Sequence, residues 1–250
     1  MKKDSIYRTI LECKQTGKKQ FAWLIDPDRI RKEDCEKLAY LAREAKVDMI
    51  FMGGSLVVQD HTDICVERLR NFSGIPVVMF PGSVLQVSRS ADALLFLSVI
   101  SGRNPEMLIG QHVVAAPLVK KWGIEAIPTG YMLIDSGRQT AASYMSQTTP
   151  IPRDKYDIAA CTALAGELLG LKMIFMDGGS GANQPVNTGM IHAVREQVAL
   201  PLIVGGGIDS AAGAQEAVRA GADIVVVGNA IEKNLSGEFL KEFTGAVHTA

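Results

Sequence analysis

Short apolar runs alternate with helix-like stretches along most of the chain. The runs lack polar alternation, as expected for parallel strands that are buried on both faces. Ser210 precedes one of the helix-like stretches and is a typical N-cap residue. The pattern predicts helices at Glu33–Lys46, Tyr156–Gly170, Thr188–Val198 and Ser210–Ala220. It predicts eight strands at Phe21–Ile25, Met49–Met52, Val77–Phe80, Ala93–Leu97, Ala126–Leu133, Met173–Met176, Leu202–Val204 and Ile224–Val227.

Eight strand–helix units favour a closed (β/α)₈ barrel, the TIM-barrel fold, over an open parallel sheet. The length of 250 residues is typical of one such barrel, and no shift in composition marks a domain boundary. We therefore predict an α/β protein with a single TIM-barrel domain over residues 1–250, allowing for one irregular barrel helix. The long connection at 135–154 is predicted to be either a lid over the catalytic face or a solvated surface excursion.

Composition narrows the choice of partners and compartment. Apolar residues make up 47% of the chain, and the net charge of −1, with no long basic block, argues against nucleic acid or anionic membrane as the main partner. The four cysteines are scattered without metal-ligand spacing and are interpreted as reduced thiols. With no signal peptide and no long apolar stretch, we expect a cytoplasmic protein that makes at most peripheral contact with a membrane.

Two glycine-rich turns near the end of the chain predict a phosphate-binding site. Gly205-Gly206-Gly207 follows one buried strand, Gly228-Asn229 follows the next, and each turn opens a helix. Glycine lets a ligand approach the backbone closely, and a helix N-terminus offers unpaired N–H groups. In TIM barrels such a site lies after the seventh and eighth strands. Glycines that serve turn geometry alone are the alternative.

Acidic residues follow the first and sixth strands, at the mouth of the predicted barrel. Asp26 is kept out of a helix by Pro27 and would suit a hard cation such as Mg²⁺, with a simple turn or cap role as the alternative. Asp177 precedes four small residues, 178–181, that leave room for a ligand. A carboxylate beside a phosphate can accept hydrogen bonds from hydroxyls of the same ligand, which predicts a small polyol phosphate. A glycine-rich turn capped by Asp177 is the alternative.

The order of these segments resembles that of the geranylgeranylglyceryl phosphate synthases over about residues 21–234. Many members of that family have tyrosine and glutamate where this chain has Phe175 and Asp177. Bacterial heptaprenyl-type relatives carry a lysine shortly before the first aspartate, a stretch that is apolar here. The resemblance rests on Leu24–Asp28, Gly53–Ser55, Ile127–Tyr131, Asp177–Gly181, Gly205–Ile208 and Gly228-Asn229.

The resemblance implies an Mg²⁺-dependent prenyltransferase. The enzyme would join a prenyl diphosphate, with geranylgeranyl as the expected chain, to the 3-hydroxyl of sn-glycerol 1-phosphate and release diphosphate. This reaction forms the first ether bond of archaeal-type lipids. Asp26 and Ser55 would bind the metal, and either Asp177 or the diphosphate would take the hydroxyl proton. The glycerol phosphate would be bound by Phe175, Met176, Asp177, Gly178, Gly179, Ser180, Gly181, Gly206, Gly207, Gly228 and Asn229.

The prenyl chain needs an apolar groove, expected near the helices that follow strands three to five. We also expect a homo-oligomer. Another phosphate-binding TIM-barrel enzyme of sugar-phosphate metabolism is an alternative, although no lysine stands at a predicted strand end to form a Schiff base. A non-catalytic barrel that binds a phosphorylated metabolite is a second alternative, in which two carboxylates at one mouth would be superfluous. The candidate groove residues are Leu94, Leu95, Phe96, Tyr131 and Met132.

Overall fold

The computed structural model describes residues 5–58 and 61–250 of the chain. Within these ranges, eight parallel strands form a closed barrel in sequence order, and the last strand pairs with the first. The TIM-barrel prediction is therefore confirmed, and the open sheet is excluded. The strands are β1 (Gln20–Ile25), β2 (Met49–Met52), β3 (Val77–Met79), β4 (Ala93–Val99), β5 (Glu125–Leu133), β6 (Met173–Asp177), β7 (Leu202–Gly205) and β8 (Ile224–Val227).

Helices surround the barrel and begin and end close to the predicted positions. Ser210 accepts a hydrogen bond from the Gly213 amide and caps the helix that follows β7, as its position predicted. The first predicted helix is shorter than expected, because its start forms a 3₁₀ turn at Lys32–Asp34. The described α-helices are α1 (Ile6–Gln15), α2 (Cys35–Glu44), α3 (Thr62–Ser73), α4 (Gln111–Trp122), α5 (Ala141–Ser146), α6 (Tyr156–Leu168), α7 (Thr188–Gln197), α8 (Ala211–Arg219), α9 (Asn229–Lys233) and α10 (Gly237–His248).

One barrel helix is irregular, as allowed for in the prediction. Between β3 and β4 the chain forms only a 3₁₀ turn, Val84–Gln86, where the repeating pattern would place a helix. The outer side of the sheet is consequently less covered here, and Phe96 of β4, which packs in the outer layer, is only partly buried. The space left by the absent helix forms part of the apolar cavity described below.

Apolar side chains pack in two layers, one inside the barrel and one between the sheet and the helices. Alternation along β6 shows how the layers arise: Phe175 packs inside the barrel, whereas Ile174 and Met176 pack in the outer layer. Asp177 is the next inward position, at the carboxyl end of the strand. Strand periodicity therefore carries Phe175 and Asp177 to the barrel mouth and turns Met176 away from it.

The connection at 135–154, predicted as either a lid or a surface excursion, contains regular structure that the sequence pattern did not predict. It contains α5, which is capped by the Thr140 side chain through the Ser143 amide. A bridge between Ile134 and Ile151 closes the segment at its base. The segment packs over the carboxyl end of the barrel, because Thr140 lies against Gly179 of the loop after β6. In the described part of the chain, no helix has both the length and the apolar character needed to cross a bilayer.

Candidate active site

A polar cavity opens at the carboxyl ends of β6, β7 and β8, which is the end of a TIM barrel where active sites lie. Three loops form its walls, together with the basic side chains of Arg138 and Lys233. The loops after neighbouring strands therefore meet on one concave surface. Of the predicted ligand residues, this surface brings together Phe175, Asp177, Gly179, Ser180, Gly181, Gly206, Gly207, Gly228 and Asn229.

The turn after β7 depends on two glycines for its shape. Gly206 and Gly207 have φ angles of +78° and +73°, a conformation that other residues rarely adopt. A Cβ atom on Gly206 would come within 2.6 Å of the Gly178 amide nitrogen, and one on Gly207 within 2.5 Å of the Gln184 carbonyl oxygen. A larger residue at either position would therefore disturb the turn itself as well as any ligand in it.

Two of the predicted ligand residues do not line the cavity. Met176 is fully buried between the sheet and the helices. The Gly178 amide donates a hydrogen bond of 3.1 Å to the Gly205 carbonyl and so ties the loop after β6 to the end of β7. A ligand contact by Met176 or Gly178 stays a prediction from the family resemblance.

The short helix α9 presents different residues to two regions of the barrel mouth. Asn229 and Lys233 are four residues apart, and both line the polar cavity. Ser180 donates a hydrogen bond of 3.4 Å to Asn229 Oδ1, which links the loop after β6 to this helix. Glu232 lies toward the end of β1 instead, where its carboxylate pairs with Arg29 at 3.0 Å. The helix thus connects the polar cavity with the region around Asp26.

Sequence reasoning missed both cations of the polar cavity. Arg138 lies in the long connection after β5, where a single basic residue carries no pattern that separates a ligand contact from a solvated side chain. Lys233 had one detectable signal, its spacing of four residues from Asn229 in a helix that follows a glycine turn. The lining of this cavity also includes the carboxylates of Asp177 and Asp209, so Arg138 and Lys233 supply cationic groups that an anion could contact without making the whole cavity positive.

Asp177 is held by two hydrogen bonds at the floor of the polar cavity. Its Oδ2 atom accepts from the Tyr131 hydroxyl at 2.7 Å, and its Oδ1 atom accepts from the Gly179 amide at 2.7 Å. The residue is only 7% exposed, and burial raises the pKa of its carboxyl, an effect that the two hydrogen bonds partly oppose. Tyr131 was predicted only as a groove residue, and its bond to Asp177 is a feature that sequence reasoning missed.

This pair gives a prediction for the pH dependence of activity. If Asp177 acts as its carboxylate, kcat/KM for the hydroxyl substrate falls as the pH drops through the raised pKa of Asp177. Tyr131→Phe removes a hydrogen bond that lowers this pKa, so the acid limb is expected to move to higher pH. The measurement is kcat/KM against pH for the wild type and the variant at a saturating concentration of the second substrate.

Asp26 also has a pKa raised by burial, but Tyr131 is not among the groups that act on it. A shift of the acid limb in Tyr131→Phe would therefore assign that limb to Asp177. An unmoved limb would contradict the assignment and leave Asp177 as a turn cap.

An apolar cavity adjoins the polar one across a group of aromatic rings. Phe80 follows β3 and lines both cavities. Its ring stacks on Phe175 with centroids 5.0 Å apart and lies 6.0 Å from the ring of Tyr131. These three rings form the boundary between a polar compartment and an apolar compartment. Phe80 was predicted only as the end of a strand, so this position was also missed.

The apolar cavity occupies the gap left by the missing barrel helix. The 3₁₀ turn after β3 contributes Val84, α4 contributes Ala115, and α5 contributes Met145. Met132 was also predicted here, but its side chain is fully buried in the outer layer and does not line the cavity. Strand alternation explains the difference, because Tyr131 faces into the barrel and its neighbour faces out. The predicted residues that do line the cavity are Leu94, Leu95, Phe96 and Tyr131.

Asp26 and Ser55 lie at the ends of the neighbouring strands β1 and β2. Asp26 Oδ1 accepts a hydrogen bond of 3.0 Å from the Asp28 amide, and Arg29 Nε lies 3.5 Å from Asp26 Oδ2. A Cβ atom on Gly54, the residue before Ser55, would be 3.4 Å from the Asp26 carboxylate, so the two strand ends touch. Asp26 therefore does stabilise the turn after β1, and its carboxylate is at the same time half-buried at the barrel mouth.

These groups fit a magnesium site that is completed by substrate. Among residues 5–58 and 61–250, no set of three or more His, Cys, Asp or Glu side chains is arranged to hold a metal ion. Mg²⁺ is commonly bound through one or two carboxylates together with water and phosphate oxygens. The carboxylate of Asp26 and the hydroxyl of Ser55 are hard oxygen groups of this kind and would be the residues to hold such an ion.

Comparison with known proteins agrees with these features. The chain is 58% identical over 247 residues to a geranylgeranylglyceryl phosphate synthase of Chitinophaga pinensis, with 99% of this chain and 97% of that protein covered. It is 52% identical over 227 residues to a geranylgeranylglyceryl phosphate synthase of Spirosoma linguale, with coverage of 90% and 91%.

A solved structure is also similar along the whole chain. It is that of (S)-3-O-geranylgeranylglyceryl phosphate synthase from Thermoplasma acidophilum in complex with its substrate sn-glycerol-1-phosphate. The TM-score is 0.93 at 29% identity, with 98% of this chain and 99% of that chain covered. The model of the PcrB family matches residues 14–247. The chain therefore belongs to the PcrB family, the family of geranylgeranylglyceryl phosphate synthases.

Proposed function

We propose that this protein transfers a prenyl group, geranylgeranyl above all, from its diphosphate to the 3-hydroxyl of sn-glycerol 1-phosphate. The observation that carries the proposal is the adjacency of a polar, glycine-lined cavity that holds two cationic side chains and an apolar cavity, separated by three aromatic rings. One substrate is small, polar and anionic, and the other has a long apolar chain. The high identity to geranylgeranylglyceryl phosphate synthases supports the same assignment.

Glycerol 1-phosphate would lie in the polar cavity. Its phosphate would be bound by the turns at Gly206-Gly207 and Gly228-Asn229, with Arg138 and Lys233 offsetting its charge. Its hydroxyls would reach Asp177, which lies on the neighbouring strand to the first of these turns. This arrangement directs the 3-hydroxyl toward the boundary with the apolar cavity.

The prenyl chain would lie in the apolar cavity with its diphosphate toward Asp26 and Ser55. Bound Mg²⁺ would neutralise the diphosphate and make it a better leaving group. The bond between the allylic carbon and the diphosphate oxygen breaks, and the electron pair leaves with diphosphate. The glycerol oxygen forms the new ether bond, and its proton passes to Asp177 or to the diphosphate. Holding the two substrates in line would account for much of the rate.

The aromatic boundary suits the charge that develops in this reaction. Cationic carbon is attracted to the faces of aromatic rings, and Phe80, Tyr131 and Phe175 surround the point where the two cavities meet. Phe175 lacks the hydroxyl found at this position in many family members, so it supplies a ring without a polar contact. The site is thus lined by apolar groups where the carbon would react and by polar groups where the glycerol would bind.

A direct assay tests the proposed function. Purified protein is incubated with Mg²⁺, radiolabelled geranylgeranyl diphosphate and sn-glycerol 1-phosphate, and the lipid product and released diphosphate are measured. We expect both products in equal amounts, their loss when Mg²⁺ is chelated, and much slower reaction with the mirror-image substrate. Binding of glycerol 1-phosphate without any ether product would favour the non-catalytic alternative. We further propose that the protein is a homo-oligomer, which light scattering of the purified protein would test, and that it is cytoplasmic, which fractionation of cells would test.

A further inference from the structure

Arg29 is held between two carboxylates at the end of β1. Its NH1 atom pairs with Glu232 Oε2 at 3.0 Å, whereas its Nε atom lies 3.5 Å from Asp26 Oδ2. The Arg29 side chain is 56% exposed, and the two carboxylates are 21% and 24% exposed. The guanidinium therefore stands at the open side of this group, with its shorter contact to Glu232.

The surroundings of Arg29 are strongly acidic. Asp26, Asp28 and Glu232 all lie at this part of the mouth, and the Asp28 carboxylate accepts a hydrogen bond from the Val58 amide. A diphosphate brought here would meet three carboxylates. A divalent cation on Asp26 would offset part of that repulsion. Arg29 is the cation that the described residues place at this point, and its planar fork of N–H groups matches phosphate oxygens.

The unequal distances indicate which contact is expendable. The bond to Glu232 has ordinary hydrogen-bond length, and the contact to Asp26 is at the long limit. Arg29 can therefore turn away from Asp26 and keep its bond to Glu232. Such a movement would free the Asp26 carboxylate for a cation and direct the remaining N–H groups toward the ligand.

We propose that Arg29 binds the diphosphate of the prenyl substrate and that Glu232 is a positioning residue that holds the guanidinium for this contact. The proposal rests on the proposed function and adds a residue pair to its diphosphate end. Glu232 acts through Arg29, whereas Lys233 on the same helix serves the glycerol phosphate cavity.

Calorimetry with magnesium pyrophosphate as the probe tests the pair in the full-length protein. The variants are Arg29→Gln, Arg29→Lys and Glu232→Gln, with Arg31→Gln as the matched control. Arg31 is 78% exposed and pairs with Asp34, away from the cavities. We expect Arg29→Gln to weaken pyrophosphate binding by at least about tenfold, because a charge-assisted hydrogen bond is lost. Arg29→Lys and Glu232→Gln should have smaller effects in the same direction.

Glycerol 1-phosphate affinity separates positioning from general damage. A disturbed α9 would weaken glycerol 1-phosphate binding as well, because Asn229 and Lys233 lie on that helix. We expect that affinity to stay at the control value in Glu232→Gln and in both Arg29 variants. Wild-type affinity for pyrophosphate in Arg29→Gln, or equal losses for both ligands, would overturn the inference alone. A wild-type protein that binds no pyrophosphate and makes no ether would overturn the proposed function with it.

Discussion

Asp26→Asn is expected to lower kcat for ether formation by about 10²–10³-fold, since it removes the charge that would hold the metal against the leaving group. The amide keeps the size of the side chain and one oxygen that can accept from the Asp28 amide, so the turn should survive. Glycerol 1-phosphate affinity should be nearly unchanged, because Asp26 does not line the polar cavity. Steady-state kinetics and calorimetry measure the two effects separately.

Asp154→Asn is a suitable control for this experiment. Its carboxylate is 78% exposed and pairs only with the adjacent Lys155 among the described residues. The control should retain wild-type kcat and the same dependence on Mg²⁺ concentration. An Asp26→Asn enzyme that behaves like this control would show that the metal is bound elsewhere.

Asp177→Ala is expected to raise the KM for glycerol 1-phosphate and to lower kcat. A hydrogen bond to a charged acceptor contributes about 1.5–3 kcal/mol, which corresponds to a change of about 10- to 150-fold. The KM for the prenyl diphosphate should change little. Discrimination between sn-glycerol 1-phosphate and its mirror image should also weaken, because the two molecules differ in the placement of their hydroxyls. Kinetics with both enantiomers provide the measurement.

Lys233→Gln gives the matched comparison. It lowers the positive charge of the polar cavity, which acts on the phosphate shared by both enantiomers. In the Lys233→Gln variant, the KM should rise for both enantiomers of glycerol 1-phosphate, and the ratio of the two KM values should change little. Asp177→Ala also leaves the Tyr131 hydroxyl without its acceptor, so thermal unfolding of each variant must be checked first. Unchanged enantiomer preference in a folded Asp177→Ala protein would leave this residue as a turn cap.

The sequence predicted the barrel well because each strand is buried on both faces. Such strands form uninterrupted apolar runs, and all eight observed strands begin and end within two residues of the predicted bounds. The turn after β7 could also be predicted, since Gly206 and Gly207 need a backbone conformation that other residues avoid. The turn after β8 could be predicted because Gly228 follows a buried strand and precedes a helix. Strand ends and glycine turns depend on residues that are adjacent in sequence, so they can be predicted from the sequence alone.

Contacts between distant segments were the part that the sequence did not reveal. The bond from Tyr131 to Asp177 joins residues 46 positions apart, and Phe80 meets Phe175 only after the barrel closes. Met132 was predicted to line the groove and Met176 to bind ligand because residues beside them in sequence were. Side chains alternate along a strand, so both methionines pack in the outer layer instead. The shape of the apolar cavity depended on a missing helix, which an apolar pattern alone does not locate.

Helix α9 also limits how this enzyme can be redesigned. Asn229 and Lys233 line the cavity proposed for one substrate, and Glu232 pairs with the residue proposed to bind the other. Inserting one residue between Gly228 and the helix would rotate all three side chains by about 100° relative to the strand that carries them. Both binding regions would be disturbed together, so the length of the connection between β8 and α9 is a constraint shared by the two proposed substrate sites.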